Sequence, residues 1–200
     1  NTEVGRDITF EQLQQQFDAI AICAGAMNAV ALDIPGADLE GLVYGVDFMK
    51  DANLGKPLSV GKDVVVIGGG YTAMDCSRTS LRHGAERVTI AYRRTRSELV
   101  VDEEELGETE REGVRMDFLV SPLELIGENG RITGVRMIKN RLGEPDASGR
   151  RSPVPIEGSE FILPADTVIP AVSQAAELGF LPVESSFEVA RGREIGRAHV

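Results

Sequence analysis

Hydrophobic residues fall along this chain in short continuous runs closed by small residues, not in long stripes. Residues 17–26, FDAIAICAGA, form one such run, and its length and ending predict a buried strand that leads into a tight loop. Residues 165–174, ADTVIPAVSQ, repeat the design. Each run begins at an aspartate, Asp18 or Asp166, continues through Ile, Val and Ala, and ends where a ligand could approach bare backbone. The two are expected to carry the chain into and out of an inserted domain, although ordinary core strands would show the same pattern.

Between them lies a second, complete pattern. Asp63-Val64-Val65-Val66-Ile67 is a β-branched run of the kind found in parallel strands covered on both faces. Glycines 68, 69 and 70 follow at once. Residues 71–83 have helical character, with Ala73, Met74, Ser77 and Leu81 on one side and Gly84 placed to stop the helix. A further strand is expected over 87–92, completing a right-handed βαβ unit. Residues 102–113, DEEELGETEREG, read as an acidic helix whose charges form a solvated face. Residues 114–163 then break into short strands separated by Gly, Asn, Pro, Ser and Asp, which predicts an antiparallel meander with 142–153 as its exposed loop.

Composition narrows the class. With 200 residues, 42% hydrophobic and 26% charged, the chain can bury a core of its own. No stretch reaches the about 20 apolar residues that span a bilayer, and a net charge of −11 repels nucleic acid and anionic lipid alike. Cys23 and Cys76 stand far apart without CxxC spacing, so neither a disulfide scaffold nor a zinc site is expected, and a reducing, cytoplasmic setting fits. The chain starts at Asn1 without methionine or a signal segment. Its last seven residues, EIGRAHV, resemble a translated sequencing-adapter tail. The expectation is a fragment of a longer polypeptide.

The chemistry concentrates at Gly68-Gly69-Gly70-Tyr71-Thr72-Ala73. This is G-x-G-x-x-A placed after a strand and at a helix start, the context that makes the motif credible. Gly68 would allow the sharp turn, Gly70 would let a pyrophosphate reach the backbone, and Ala73 would let the helix lie close on the strand. Unpaired amides and the helix dipole would hold the negative charge. At the end of the second strand stands Tyr92-Arg93-Arg94-Thr95-Arg96, where an NAD-binding domain would place a carboxylate on the ribose. Guanidinium groups there favour a 2′-phosphate, hence NADPH over NADH. Arg93 and Arg94 are the stronger candidates and Arg96 the weaker. The alternative is a surface cluster paired to the acidic helix.

Taken together, NTEVGRDITFEQL, FDAIAICAGA, IPGADLEGLVYGVDFM, VVVIGGGYTAMDCSRTSLRHGA, RVTIAYRR and ADTVIPAVSQ resemble the glutamate synthase small subunit group of FAD- and NAD(P)-dependent oxidoreductases, including the NADPH and FAD portion of dihydropyrimidine dehydrogenase. The resemblance implies an α/β fold: a Rossmann-like NAD(P)-binding domain, parallel sheet plus antiparallel β-meander, inserted in a truncated FAD-binding domain. Residues 1–35 would be one piece of the FAD domain, 36–165 the NADPH domain, 166–193 the return into the FAD domain, and 194–200 the adapter tail. It also implies hydride transfer from NADPH to FAD and onward passage of electrons to an iron–sulfur protein or large catalytic subunit. Gly68, Gly69, Gly70, Tyr71, Thr72, Ala73, Arg93 and Arg94 would bind NADPH. Gly25 would lie near FAD, and Ala171 and Gln174 would line the boundary between the cofactors. Ser173 stands where the family often has glycine.

Thioredoxin reductases share the architecture but carry CxxC in this domain, whereas Cys76 stands alone and reads as a packed helix residue. No acid, base or nucleophile is nominated, because the cofactors carry the chemistry. Two other classes stay open: a flavin-independent NAD(P) dehydrogenase, although none of the three tyrosines has lysine four residues later, and a module that binds NADPH without turnover.

Overall fold

The computed structural model describes residues 1–145 and 149–182, with the backbone of 189–190 and 194–195. The chain divides into two compact units, Asn1–Val30 with Ser173–Val200, and Ala31–Val172. The expected domain ends were 35 and 165. Residues 196–200 of the expected tail lie outside the described residues.

In the smaller unit, helix α1 (Phe10–Gln16) starts at a capping box. Thr9 Oγ1 accepts from the Gln12 amide at 3.2 Å, and Gln12 Oε1 accepts from the Thr9 amide at 2.8 Å. The strand expected over 17–26 does not form. That segment has no β partner among the described residues and is mostly exposed. A strand needs a neighbour for its backbone donors and acceptors, and hydrophobicity alone does not supply one. Strand pairing in this unit lies elsewhere: β1 (Asn28–Ala29) meets a two-residue strand at Gln174–Ala175, and Val189–Ala190 pairs with Glu194–Ile195.

The larger unit is built in three layers. Helix α2 (Gly45–Asn53) precedes β2 (Asp63–Ile67), α3 (Tyr71–Arg82) and β3 (Arg87–Tyr92). After a single 3-10 turn come α4 (Glu103–Arg111) and β4 (Arg115–Phe118). The parallel sheet runs β4-β3-β2 and is completed by β9 (Thr167–Pro170), which pairs with β2 from Val64↔Thr167 to Ile67↔Pro170. Because successive strand residues face opposite sides, Val64 and Val66 pack with Ala73, Met74, Cys76, Phe48 and Leu106 on the helical face. Val65 and Ile67 face the meander residues Leu125, Ile132, Val135 and Met137. The unbroken apolar run of β2 is thus the mark of a strand with no solvent side. Each such fully buried valine contributes about 1.5–3 kcal/mol.

Two strand expectations need correction. Residues 115–118 do not open the meander; β4 is the edge of the parallel sheet, paired with β3. The turn into the meander comes after it, at Leu119 with φ 57°. The meander itself comprises β5 (Val120–Glu128), β6 (Arg131–Pro145), β7 (Arg151–Pro155) and β8 (Phe161–Pro164), with β6 pairing all three others. The segment expected as exposed loop over 142–153 is therefore largely strand, since β6 runs to Pro145 and β7 begins at Arg151. Its Gly and Pro residues misled the sequence reading because this end of the meander tolerates an irregular register, shifted between Leu142 and Pro145. Among the described residues no helix is long and apolar enough to cross a membrane.

Candidate functional site

The glycine turn sits where β2 ends and α3 begins. Gly68 has φ 153° and its amide donates to the Ala91 carbonyl of β3 at 3.2 Å. A side chain there would meet the Ala171 carbonyl oxygen at 2.5 Å, so the turn is wedged against the residue that follows β9. Ala171 in turn donates its amide to the Ile67 carbonyl at 2.8 Å. At Gly69 a Cβ would collide with the Tyr92 ring and lie 2.9 Å from Leu99. Gly70 differs. Its backbone is extended and its nearest neighbour, Val100, would be at 3.8 Å from a Cβ, so nothing among the described residues requires glycine there.

Helix α3 begins directly after Gly70 with no side-chain cap, and among the described residues the Tyr71 and Thr72 amides have no acceptor. An uncapped helix start facing a side-chain-free position can take a phosphate. Ala73 is fully buried and Thr72 half-buried, so the helix is seated closely on the sheet. Tyr71 is half exposed, and its hydroxyl donates to Asp102 Oδ2 at 3.0 Å. Asp102 also caps α4 by accepting from the Glu105 amide at 2.8 Å. That amide and the tyrosine hydroxyl hold its carboxyl below the ordinary range. Sequence reasoning missed Asp102 as a partner of the turn; the two are 31 positions apart and meet only through the β3–α4 connection.

The arginines separate into three roles. Arg96 pairs with Glu110 at 2.8 Å and Glu103 at 3.1 Å, so for this residue the surface-cluster alternative holds. Arg94 is buried, 6% exposed, and its Nε donates to the Arg151 carbonyl at 2.8 Å. Arg93 is exposed, with no carboxylate partner among the described residues. Nearby protein atoms take some of its solvent, and Arg94 and Arg150 add like charge. Both effects lower its guanidinium from the usual value, loss of solvent first. The Arg93 main chain is held from the meander, where Asn140 Nδ2 donates to its carbonyl at 3.3 Å.

The acidic helix is less solvated than expected, since Arg78 of α3 reaches Glu105 at 2.8 Å and Glu112 at 2.6 Å. Cys76 is fully buried with its sulfur 3.7 Å from the Gly45 carbonyl. Desolvation, then Asp75, push its thiol up to about 12, which removes it from thiolate chemistry. In the smaller unit Gly25 adopts φ 71° with open space around its Cβ position, and Gln174 is exposed. Ala171 belongs to the larger unit and Gln174 to the smaller.

Comparison with known proteins adds three findings. Residues 4–193 match the family described as pyridine nucleotide-disulphide oxidoreductase. The chain is 43% identical over 204 residues to the NADPH-Fe(3+) oxidoreductase subunit beta of Geobacter sulfurreducens, covering 100% of this chain but 30% of that protein. It is 39% identical over 184 residues to the glutamate synthase [NADPH] small chain of Escherichia coli, covering 86% of this chain and 39% of the relative. The chain therefore spans well under half the length of either relative. In fold it resembles Mycobacterium tuberculosis FprA in complex with NADPH, with TM-score 0.72, 22% identity, and coverage of 86% of this chain and 54% of that one.

Proposed function

Because the chain belongs to the pyridine nucleotide-disulphide oxidoreductase family, we propose that its larger unit binds NADPH and presents it to an FAD whose domain the smaller unit helps to build. The observation that carries this reading is the uncapped start of α3 behind a glycine whose side-chain position is open. The amides of Tyr71 and Thr72 would receive the pyrophosphate. Gly68 and Gly69 would shape the turn, Ala73 would seat the helix, and the exposed Arg93 would meet the 2′-phosphate. Gly25 would lie near the flavin, and Ala171 and Gln174 would line the boundary between the cofactors.

When bound, NADPH supplies a hydride and FAD accepts it. The contribution of the chain is to bind, orient and neutralise: a dipole end for the pyrophosphate, a guanidinium for the extra phosphoryl group, and a rigid sheet edge behind both. With Cys76 buried and the sequence lacking CxxC, no thiol relay enters the reading. The G. sulfurreducens relative is named as a subunit and the E. coli one as a small chain. Electrons are accordingly proposed to leave toward an iron–sulfur protein or a large catalytic subunit, in the cytoplasm.

Coenzyme titration of the purified chain tests the binding step. NADPH should bind at least about tenfold more tightly than NADH, a difference of about 1.4 kcal/mol. Equal affinities, or none, would remove the reading. In the longer protein that carries this chain, NADPH should bleach the flavin absorbance. NADPH oxidation without flavin would instead favour a flavin-independent dehydrogenase.

A further inference from the structure

Two tyrosine hydroxyls hold the connection between β3 and α4, residues 95–102, against the glycine turn. Near its start Tyr92 Oη donates to the Glu98 carbonyl at 2.8 Å, and the Thr95 amide and hydroxyl donate to Glu98 Oε2 at 3.0 and 2.6 Å. At its end Tyr71 Oη donates to Asp102 Oδ2 at 3.0 Å. Between these ties the strap sets apolar side chains against the turn, Leu99 beside Gly69 and Val100 across from Gly70. Val100 is 62% exposed and Tyr71 50%, so apolar surface is left bare next to the free amides of α3. The two oxygens of Asp102 are divided: Oδ1 accepts from the Glu105 amide and caps α4, and Oδ2 takes the phenol. Serine or asparagine would cap the helix as well, so the second oxygen is what a carboxylate adds at this position.

Resting on the NADPH reading, we infer that Asp102 is a positioning residue for the coenzyme: through the Tyr71 hydroxyl it fixes the phenol ring against the strap, so that the ring and Val100 flank the pyrophosphate. Tyr71 is the first residue of α3, and its own amide is one of the two without an acceptor. A half-exposed tyrosine at a helix start turns about two torsions unless its far end is held. Released, the ring can swing across the amides; tied to Asp102, it leaves them open. The rotamer freedom is then lost before the ligand arrives and not at its expense, and apolar walls beside the amides strengthen their hold on an anion. The negative charge of Asp102 opposes a neighbouring phosphate, but the α4 dipole, the Glu105 amide and the phenol offset it. The pair thus acts on the diphosphate, the part that NADPH and NADH share.

The test is fluorescence titration of the 200-residue chain with NADPH and NADH, beside thermal melting of each variant. Tyr71→Phe removes the hydroxyl alone, and Asp102→Ser keeps a helix cap while being too short to hold the phenol. Each should weaken NADPH and NADH alike by about fivefold, leaving the ratio between the two coenzymes as in the parent and the melting of Y71F unchanged. The double variant should bind no more weakly than either single one, because both remove the same bond. Asp102→Asn, whose amide nitrogen can donate to the phenol oxygen, should recover the binding. If Y71F and D102S bind both coenzymes as tightly as the parent, this inference fails and the NADPH reading survives. Losses that add in the double variant, or tighter binding in D102S, would overturn it as well, the first by separating the two groups and the second by making the carboxylate a repulsive neighbour. A loss confined to NADPH would move the pair to the 2′-phosphate and refute the assignment. If the parent chain binds neither coenzyme, or both equally, the NADPH reading fails and this inference with it.

Discussion

Residues 17–26 and 165–174 share one sequence design, yet only the second contains a strand of the core. Val168 and Ile169 are fully buried beside β2, and Asp166 accepts from the Lys62 amide at 2.8 Å and the Asp63 amide at 3.3 Å, pinning the start of both strands. In the first run Ile20 and Ile22 are half-buried, Phe17 is 57% exposed, and Asp18 holds no amide among the described residues. Apolar residues in a row state that a segment can be buried, while a β ladder also demands a partner at about 4.8 Å. For 165–174 that partner is β2.

The comparison breaks most sharply by placing a charge in each run. Val168→Asp, in a residue with no solvent exposure, should cost several kcal/mol and abolish cooperative melting. Ile22→Asp should shift the same melting curve by less than about 1 kcal/mol. Comparable losses from the two would show that 17–26 is packed as firmly as β9.

Glycine substitutions sharpen the contrast within the proposed coenzyme site. Gly68→Ala drives a methyl into the Ala171 carbonyl and should destabilise the chain by about 1–3 kcal/mol in urea unfolding. Gly70→Ala meets no protein atom closely, so its stability should stay within about 0.5 kcal/mol of the parent. NADPH affinity should nevertheless fall about tenfold or more. Unchanged affinity in G70A would mean that no ligand approaches that position.

The two cysteines report burial chemically. With its thiol near 12, Cys76 should resist a thiol reagent at pH 8 while exposed Cys23 reacts, giving one labelled group natively and two in urea. Two native equivalents would place α3 outside the core.

The smallest effect concerns Asp102. Its carboxyl is held below the ordinary value in the folded chain, so its stabilising contribution is present above the unfolded range and lost as pH falls through the lowered value. Asp102→Asn should flatten the acid limb of the stability curve. An unchanged limb would remove the Tyr71–Asp102 bond from the account.

Much of the larger unit was legible because its signals are local. The β-branched run, the glycines at once after it, the helix ending at Gly84 and the next strand each follow from rules that act within a few residues. The turn was legible for the same reason. What the sequence reading missed depends on residues that meet from far apart: the parallel seat of β4, the strand at 151–155, the bond of Tyr71 to Asp102, and Asn140 behind Arg93. Arg150-Arg151 did carry a sequence signal, a second basic pair in a chain of net charge −11, but nothing local linked it to Arg93-Arg94.

By itself, then, the sequence determined a β–turn–α unit with an uncapped helix start and arginines at the end of the next strand, because backbone geometry at glycine and helix ends is set by neighbouring residues. Tertiary structure alone decided which apolar runs became strands and that Arg93 faces outward while Arg94 is buried. Both outcomes depend on partners supplied by distant segments, and a buried hydrogen bond or a filled sheet position exists only once those segments have met.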